Sequence, residues 1–138
     1  MRNSTLMVID TSALLAILTN EPERRALNEA IEAAETRLLS AVSFVESSML
    51  VESRYGADGI RDLDLFIAKA QLELVGVDGE QAHLARQAFR NFGKGRHAAG
   101  LNLGDCFSYA LARSLAEALL YKGTDFGRSD IESHPASC

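Results

Sequence analysis

The chain has 138 residues, 47% of them apolar, which is enough for one globular domain. Its net charge of −5 excludes a protein that coats nucleic acid by bulk charge. No apolar run approaches the roughly 20 residues needed to cross a bilayer, and no signal-peptide pattern opens the chain. The two cysteines form no disulfide framework, so we expect a cytoplasmic protein with no membrane contact.

Apolar runs and helical periodicities alternate along the first part of the chain. The unbroken apolar run 6–9 predicts a strand buried on both faces, and 13–18 predicts a helix. Residues 20–23, Asn-Glu-Pro-Glu, predict the start of a second helix with an N-cap and a proline in its first turn. Residues 37–40 predict a second strand.

The same alternation continues to the end of the fourth predicted strand. Glycines separate several of these elements, and three of them fall in one loop before the last helix. In chain order the remaining predictions are a helix at 41–54, a break at 56–59, a helix at 60–70, a strand at 74–77, a helix at 82–92, a loop at 93–102, a helix at 103–116 and a strand at 118–121.

This order of elements predicts a single α/β domain. The connections are long enough for parallel pairing, so we expect a central, mostly parallel sheet of four or five strands with helices on both faces. The domain is predicted to span residues 1–132. Residues 133–138 show no periodicity and are predicted to form a flexible tail.

Four acidic residues fall where such a sheet would bring them to one edge. Asp10 directly follows the first strand, and Asp125 lies four residues after the fourth. Glu46 and Asp105 lie early in two helices. Open α/β sheets bind ligands beyond the carboxyl ends of their strands. Since clustered carboxylates repel one another unless a cation holds them, the pattern predicts a divalent-metal site of the kind that cleaves phosphodiesters.

Two of these acids also fit a structural role as helix caps. Asp10 precedes a predicted helix and has the residue type of an N-cap. Asp105 fits the third position of a helix capped by Asn102. From the residues alone, capping and metal binding both remain open for Asp10 and Asp105.

The other two acids each have a nearby competitor. Glu52 also flanks the apolar stripe that Glu46 flanks, but it lies about 9 Å further along the helix axis. Asp130 lies in the same segment as Asp125 and is a second candidate for the fourth acid. Position favours Glu46 over Glu52, whereas the choice between Asp125 and Asp130 stays open.

Four segments, in this order, resemble the PIN-domain proteins. They read MVIDTSA at 7–13, SFVE at 43–46, NLGDC at 102–106 and YKGTDFGRSDI at 121–131. Chain length, the loop at 93–97 and the closing segment are most similar to VapC-type toxins of bacterial toxin–antitoxin pairs. The resemblance covers nearly the whole chain and implies a PIN-like fold with the activity of a metal-dependent endoribonuclease.

The resemblance also implies roles for individual residues. It implies that Mg²⁺ or Mn²⁺ is held by four carboxylates, directly or through water: Asp10, Asp105, Glu46 and Asp125. Supporting hydrogen bonds around these ligands are expected from three more residues: Thr11, Ser12 and Asp130. Helix capping is an equally good account of Thr11 and Ser12.

RNA and a protein inhibitor are the partners that this resemblance implies. Lys94, Arg96 and Lys122 would contact phosphates of a structured RNA such as tRNA, although the two loop charges also fit plain solvation, and no aromatic platform for bases is evident. A cognate small antitoxin would cover the groove. The surplus apolar surface of the helix at 41–51 suits that antitoxin, a second copy in a homodimer, or burial within the domain.

Two other functions share parts of this pattern. A phosphatase of the haloacid dehalogenase type also has an acid after its first strand, but requires a second aspartate where this chain has Ser12. A non-catalytic binding module can share the same scaffold. The chain lacks the spaced Cys and His pairs of a zinc site and the glycine pattern of a P-loop.

Overall fold

A four-stranded parallel sheet forms the centre of residues 6–138, the part of the chain that the computed structural model describes. The strands are β1 (Leu6–Ile9), β2 (Thr36–Ser40), β3 (Glu73–Val75) and β4 (Leu119–Leu120). They lie side by side in the order β3-β2-β1-β4, and every neighbouring pair is parallel. The predicted α/β class and parallel sheet are therefore confirmed.

Helices make the connections between these strands. They are α1 (Thr11–Leu18), α2 (Arg24–Ala33), α3 (Ala41–Lys69), α4 (Gly79–Phe92) and α5 (Leu103–Leu115). The helices predicted at 41–54 and 60–70 are the two arms of α3, which bends at Gly56, where φ is 63°, a conformation that glycine adopts without a steric penalty. Within residues 6–138, no helix is long and apolar enough to cross a membrane.

Apolar side chains cover both faces of the sheet, as expected. Successive side chains of a strand point to opposite faces, so Val8 belongs to one buried cluster, while Met7 and Ile9 belong to the other. The Asp10 amide then donates to the Leu120 carbonyl at 2.9 Å. This bond extends the parallel pairing one residue beyond β1 and fixes Asp10 at the carboxyl edge of the sheet.

The prediction that Asn20 caps the second helix was wrong. Asn20 has a φ of 60°, and its amide donates to Ile17 at 3.2 Å, so it ends α1. Asparagine tolerates this left-handed conformation better than most residues. The N-cap position of α2 is Glu23, whose side chain makes no capping hydrogen bond.

The predicted tail lies alongside β4 rather than apart from the domain. The amides of His134 and Cys138 donate to the carbonyls of Leu119 and Tyr121 at 2.9 and 3.1 Å. Ser137 Oγ donates to the Leu119 carbonyl at 3.1 Å. These bonds occupy polar groups of an edge strand, and because most of them are formed by the backbone, they leave no periodic pattern in the sequence.

Deleting residues 133–138 is expected to destabilise the domain. The deletion removes several hydrogen bonds to β4, each contributing about 1 kcal/mol, and we expect a loss of about 2–4 kcal/mol in the free energy of unfolding. Urea unfolding of the deleted and full-length chains measures this difference. Ser137→Ala serves as a graded control with a smaller loss, and an unchanged midpoint after deletion would show that these residues add nothing to the fold.

Candidate metal centre

Asp10 is buried, with 1% of its surface exposed. Its Oδ2 accepts hydrogen bonds from the Ser12 amide at 2.9 Å and the Ser12 hydroxyl at 2.7 Å, so Asp10 does cap α1. Its Oδ1 is buried and has no hydrogen-bond partner within the described residues. An unpaired buried carboxylate oxygen is unfavourable, and a bound cation would satisfy it.

Asp105 lies in the first turn of α5, where it also has a capping role. Its amide donates to Asn102 Oδ1 at 2.9 Å, and its Oδ2 accepts from the Asn102 amide at 3.0 Å. This reciprocal pair is a capping box. The capping interpretation of Asp105 is therefore correct, as it is for Asp10, and in neither residue does it exclude a second role for the carboxylate.

The charges of the other three acids act on the carboxyl group of Asp105. The pKa of Asp105 is raised to about 7, first by burial and then by the charge of Asp10. Glu46 and Asp125 add smaller increases, and the hydrogen bond from Asn102 opposes them. Acids from three other stretches of the chain therefore lie near enough to Asp105 to act on its charge.

Glu46 reaches this site from the second turn of α3. Burial raises the pKa of Glu46, a hydrogen bond from the Thr11 side chain opposes that rise, and the charge of Asp10 adds to it. A Cβ atom at Gly104 would collide with both carboxylate oxygens of Glu46, so the glycine before Asp105 makes room for them. The competing Glu52 is exposed.

The structure groups Asp125, and not Asp130, with the other acids. Asp125 precedes the short 3-10 turn Phe126–Arg128 and is one of the charges that raise the pKa of Asp105. Asp130 instead accepts a hydrogen bond from the Tyr109 hydroxyl at 2.6 Å and lies 3.6 Å from Arg113. Asp130 is thus engaged elsewhere, which favours Asp125 as the fourth acid.

Three fully buried serines beneath the acids were not predicted from the sequence. Ser43, Ser47 and Ser108 are each 0% exposed. Ser43 and Ser108 share a hydrogen bond of 2.9 Å, and Ser47 donates to Thr11 Oγ1 at 3.4 Å. The contacts link α1, α3 and α5, and the available signal was the four-residue spacing of Ser43 and Ser47, which places both on one face of the predicted helix.

The basic residues predicted to bind RNA lie in different surroundings. Lys122 Nζ contacts Glu21 and also lies 3.5 Å from Glu23, so a phosphate would have to compete with two carboxylates. Lys94 and Arg96 are exposed in the loop after α4. These two are therefore better placed than Lys122 to meet a polyanion.

The donor set fits a hard divalent cation. Carboxylate oxygens suit Mg²⁺ or Mn²⁺, whereas zinc sites use His and Cys. As the side chains stand, no three His, Cys, Asp or Glu residues within 6–138 are arranged to hold a metal. The unpaired Oδ1 of Asp10 and the raised pKa of Asp105 nevertheless mark a site that a cation would stabilise.

Comparisons with known proteins agree with this geometry. Residues 7–132 match the PIN domain family. The chain is 50% identical over 125 residues to Ribonuclease VapC30 of Mycobacterium tuberculosis, covering 91% of this chain and 95% of that protein.

Solved structures share the fold at low sequence identity. The structure of VapC20 from Mycobacterium tuberculosis, a sarcin–ricin loop cleaving toxin, matches with a TM-score of 0.74 and 12% identity, over 93% of this chain and 98% of that one. VapBC2 from Rickettsia felis, bound to a DNA fragment from its promoter, matches with a TM-score of 0.73 and 12% identity, over 94% and 97%. At such identities these two structures bear on the fold alone.

The raised pKa of Asp105 predicts how the metal-free protein responds to pH. The folded carboxyl group, with a pKa of about 7 against an ordinary 3.8, holds its proton more tightly than the unfolded chain does. The stability that it contributes is therefore present at low pH and lost as pH rises from about 4 to about 7. In EDTA, Asp105→Asn is expected to remove this loss, so the variant gains stability relative to the parent chain across that range.

Urea unfolding of both chains at several pH values measures the difference. Asp58→Asn, a substitution at an exposed acid of α3, is the matched control and should follow the parent. Parallel pH profiles for the parent and Asp105→Asn would contradict the raised pKa.

Proposed function

This chain belongs to the VapC ribonucleases of the PIN-domain family, and we propose that Asp10, Glu46, Asp105 and Asp125 form its active site. It is an endoribonuclease that acts as the toxin of a toxin–antitoxin pair. Ribonucleases of this family generally depend on a divalent metal, and we propose Mg²⁺ or Mn²⁺ for this one. The observation that carries the assignment is the buried Oδ1 of Asp10, which has no hydrogen-bond partner within the described residues. The charge of Asp10 also acts on Asp105 and Glu46.

The residues of the site divide the work of holding the metal. Ser12 fixes Oδ2 of Asp10 and so directs the unpaired Oδ1 toward the ligand. Asp105 is oriented by its reciprocal bonds with Asn102. Asp125 and Glu46 complete the set, directly or through water. When bound, the metal supplies the Lewis acidity that activates water and offsets charge on the phosphate.

Buried polar groups keep these ligands in register. The Thr11 hydroxyl donates to the Ser43 carbonyl at 3.4 Å, and the Thr11 side chain lowers the pKa of Glu46. The bond between Ser43 and Ser108 ties the helix that carries Glu46 to the helix that carries Asp105. Supporting bonds of this kind orient metal ligands and commonly change metal affinity or activity by about 10- to 100-fold. We therefore propose Thr11 and Ser12 as supporting residues, with Ser43 and Ser108 beneath them.

Structured RNA, with tRNA as one example, is the proposed substrate. This choice rests on the family resemblance, and it is consistent with cleavage at unpaired positions that can enter a crevice. A cytoplasmic location is proposed for the same reason, since the substrate is found there. Both choices go beyond the family membership itself.

A small antitoxin is the protein partner of a toxin of this family, and a surface beside Glu46 suits it. A hollow of about 570 Å³ is lined by apolar residues of α3 and by Leu103. Three apolar residues of this hollow are each more than half exposed: Val45, Met49 and Leu103. Exposed apolar surface of this kind is usually covered by a partner in a functional complex. We propose that the antitoxin covers this hollow and that a homodimer forms within the complex.

Cleavage of RNA by the partner-free protein tests the proposed site. We expect degradation of RNA with Mg²⁺ or Mn²⁺, none with EDTA, and a loss of at least about 100-fold in Asp10→Asn and Asp105→Asn, because each substitution removes a charged metal ligand. Asp58→Asn, which removes an exposed carboxylate elsewhere, should cleave like the parent. Full activity in both site variants would refute the assignment, provided that circular dichroism shows all chains folded.

Gly104→Ala tests the position of Glu46 without touching an acid. The added methyl group would displace the Glu46 carboxylate, so we expect a folded protein whose cleavage falls at least about tenfold. Gly79→Ala is the matched control, because it also places alanine in the first turn of a helix but meets nothing within 4 Å. Equal activity in the two variants would show that Glu46 does not serve the site.

A further inference from the structure

Three arginines surround an exposed aromatic ring at the C-terminal end of α4. Arg86, Arg90 and Arg96 line a hollow of about 670 Å³ together with Phe89 and Gln87. All three arginines are exposed. In the described part of the chain, none of their guanidinium groups pairs with a carboxylate, whereas Arg25, Arg61 and Arg113 do. We call the group of Arg86, Phe89, Arg90 and Arg96 the α4 patch.

The Phe89 ring is exposed and lies close to Gly93. It is 42% exposed, and a Cβ atom at Gly93 would collide with it, so one part of the ring lies close against the backbone. The Arg96 guanidinium carbon lies 5.2 Å from the ring centroid, within cation–π distance. An exposed aromatic ring among cations can stack on a base while the cations contact the flanking phosphates.

The α4 patch is continuous with the acidic site. Arg86 and Phe89 also line a second hollow, of about 380 Å³, together with Leu103 and Cys106. Leu103 in turn lines the hollow that contains Glu46. A strand bound at the patch therefore has a surface path along α5 to the carboxylates.

We propose that the α4 patch binds a single-stranded segment of RNA and leads it to the acids. This inference rests on the proposed function and extends it by placing a substrate contact outside the metal site. The chain carries a net charge of −5, so the three arginines form a local cationic surface on a protein that otherwise repels polyanions. Acidic peptides would use the arginines but gain little from the ring, whereas a single strand uses both.

Binding of a fluorescent single-stranded RNA of about 12 nucleotides, measured by anisotropy in EDTA at several salt concentrations, tests this proposal without cleavage. Arg86→Ala with Arg90→Ala should weaken binding at least about tenfold and reduce the slope of log affinity against log salt by about 1.4, or about 0.7 for each phosphate that is no longer neutralised. Phe89→Ala should weaken binding about tenfold and leave the slope unchanged, because stacking releases no counterions.

Two further variants keep the test decisive. Phe89→Leu retains an apolar side chain, so it should fold even where Phe89→Ala does not, and it should lose the same affinity. Arg54→Ala with Arg61→Ala removes equal charge from α3, outside these hollows, and should leave affinity within about twofold of the parent. Parent-like binding in the α4 variants, or an equal loss in the α3 pair, would overturn the proposal.

Three outcomes separate this inference from related possibilities. If the α4 variants bind RNA like the parent but resist inhibition by the antitoxin, the patch contacts protein and the proposal fails. If the parent and its variants show the predicted salt slopes for RNA binding but the parent cuts no RNA with Mg²⁺, the role of the α4 patch in binding stands and the proposed function is refuted. A parent chain that cleaves RNA, with α4 variants that bind as it does, would refute the patch alone.

Discussion

Repulsion among carboxylates at one edge of the sheet is the constraint on which the rest of the structure depends. Parallel strands end at the same edge, so a residue after β1 and residues at the starts of α3 and α5 are brought together whatever their charge. At the centre lies Asp10, which is 1% exposed and has one oxygen without a hydrogen-bond partner among residues 6–138. Repulsion among the carboxylates therefore makes folding unfavourable at this edge without a cation. A bound cation relieves this repulsion, and the relief contributes to the free energy of binding.

The surrounding helices resist that repulsion by fixing two of the acids, Asp10 and Asp105, with hydrogen bonds. Asp10 and Asp105 each use one oxygen as a helix cap, and the buried contact between Ser43 and Ser108 holds α3 against α5. Capping and metal binding are thus compatible roles, because a carboxylate has two oxygens. The caps orient the acids, and orientation is what a metal site requires from its surroundings.

Sequence patterns were sufficient to predict the sheet and to single out the four acids as candidates, because both depend on local signals. An apolar run followed by Asp10 indicates a buried strand and its carboxyl end, and position along the helix favours Glu46 over Glu52. The role of Asn20 and the pairing of residues 133–138 with β4 were not predicted, because backbone conformation and backbone hydrogen bonds leave little trace in side-chain type. Phe89 was assigned only to the apolar pattern of its helix, whereas the structure leaves its ring exposed.

The position of a bound ion tests the central claim most directly. Crystals of the full chain grown or soaked with Mn²⁺ would locate the ion by its anomalous scattering. The account predicts an ion within about 2.2 Å of Asp10 Oδ1 and of an Asp105 oxygen, with Glu46 and Asp125 in its direct or water-bridged surroundings. An ion bound elsewhere, with these carboxylates left apart at Mn²⁺ concentrations that support cleavage, would contradict it.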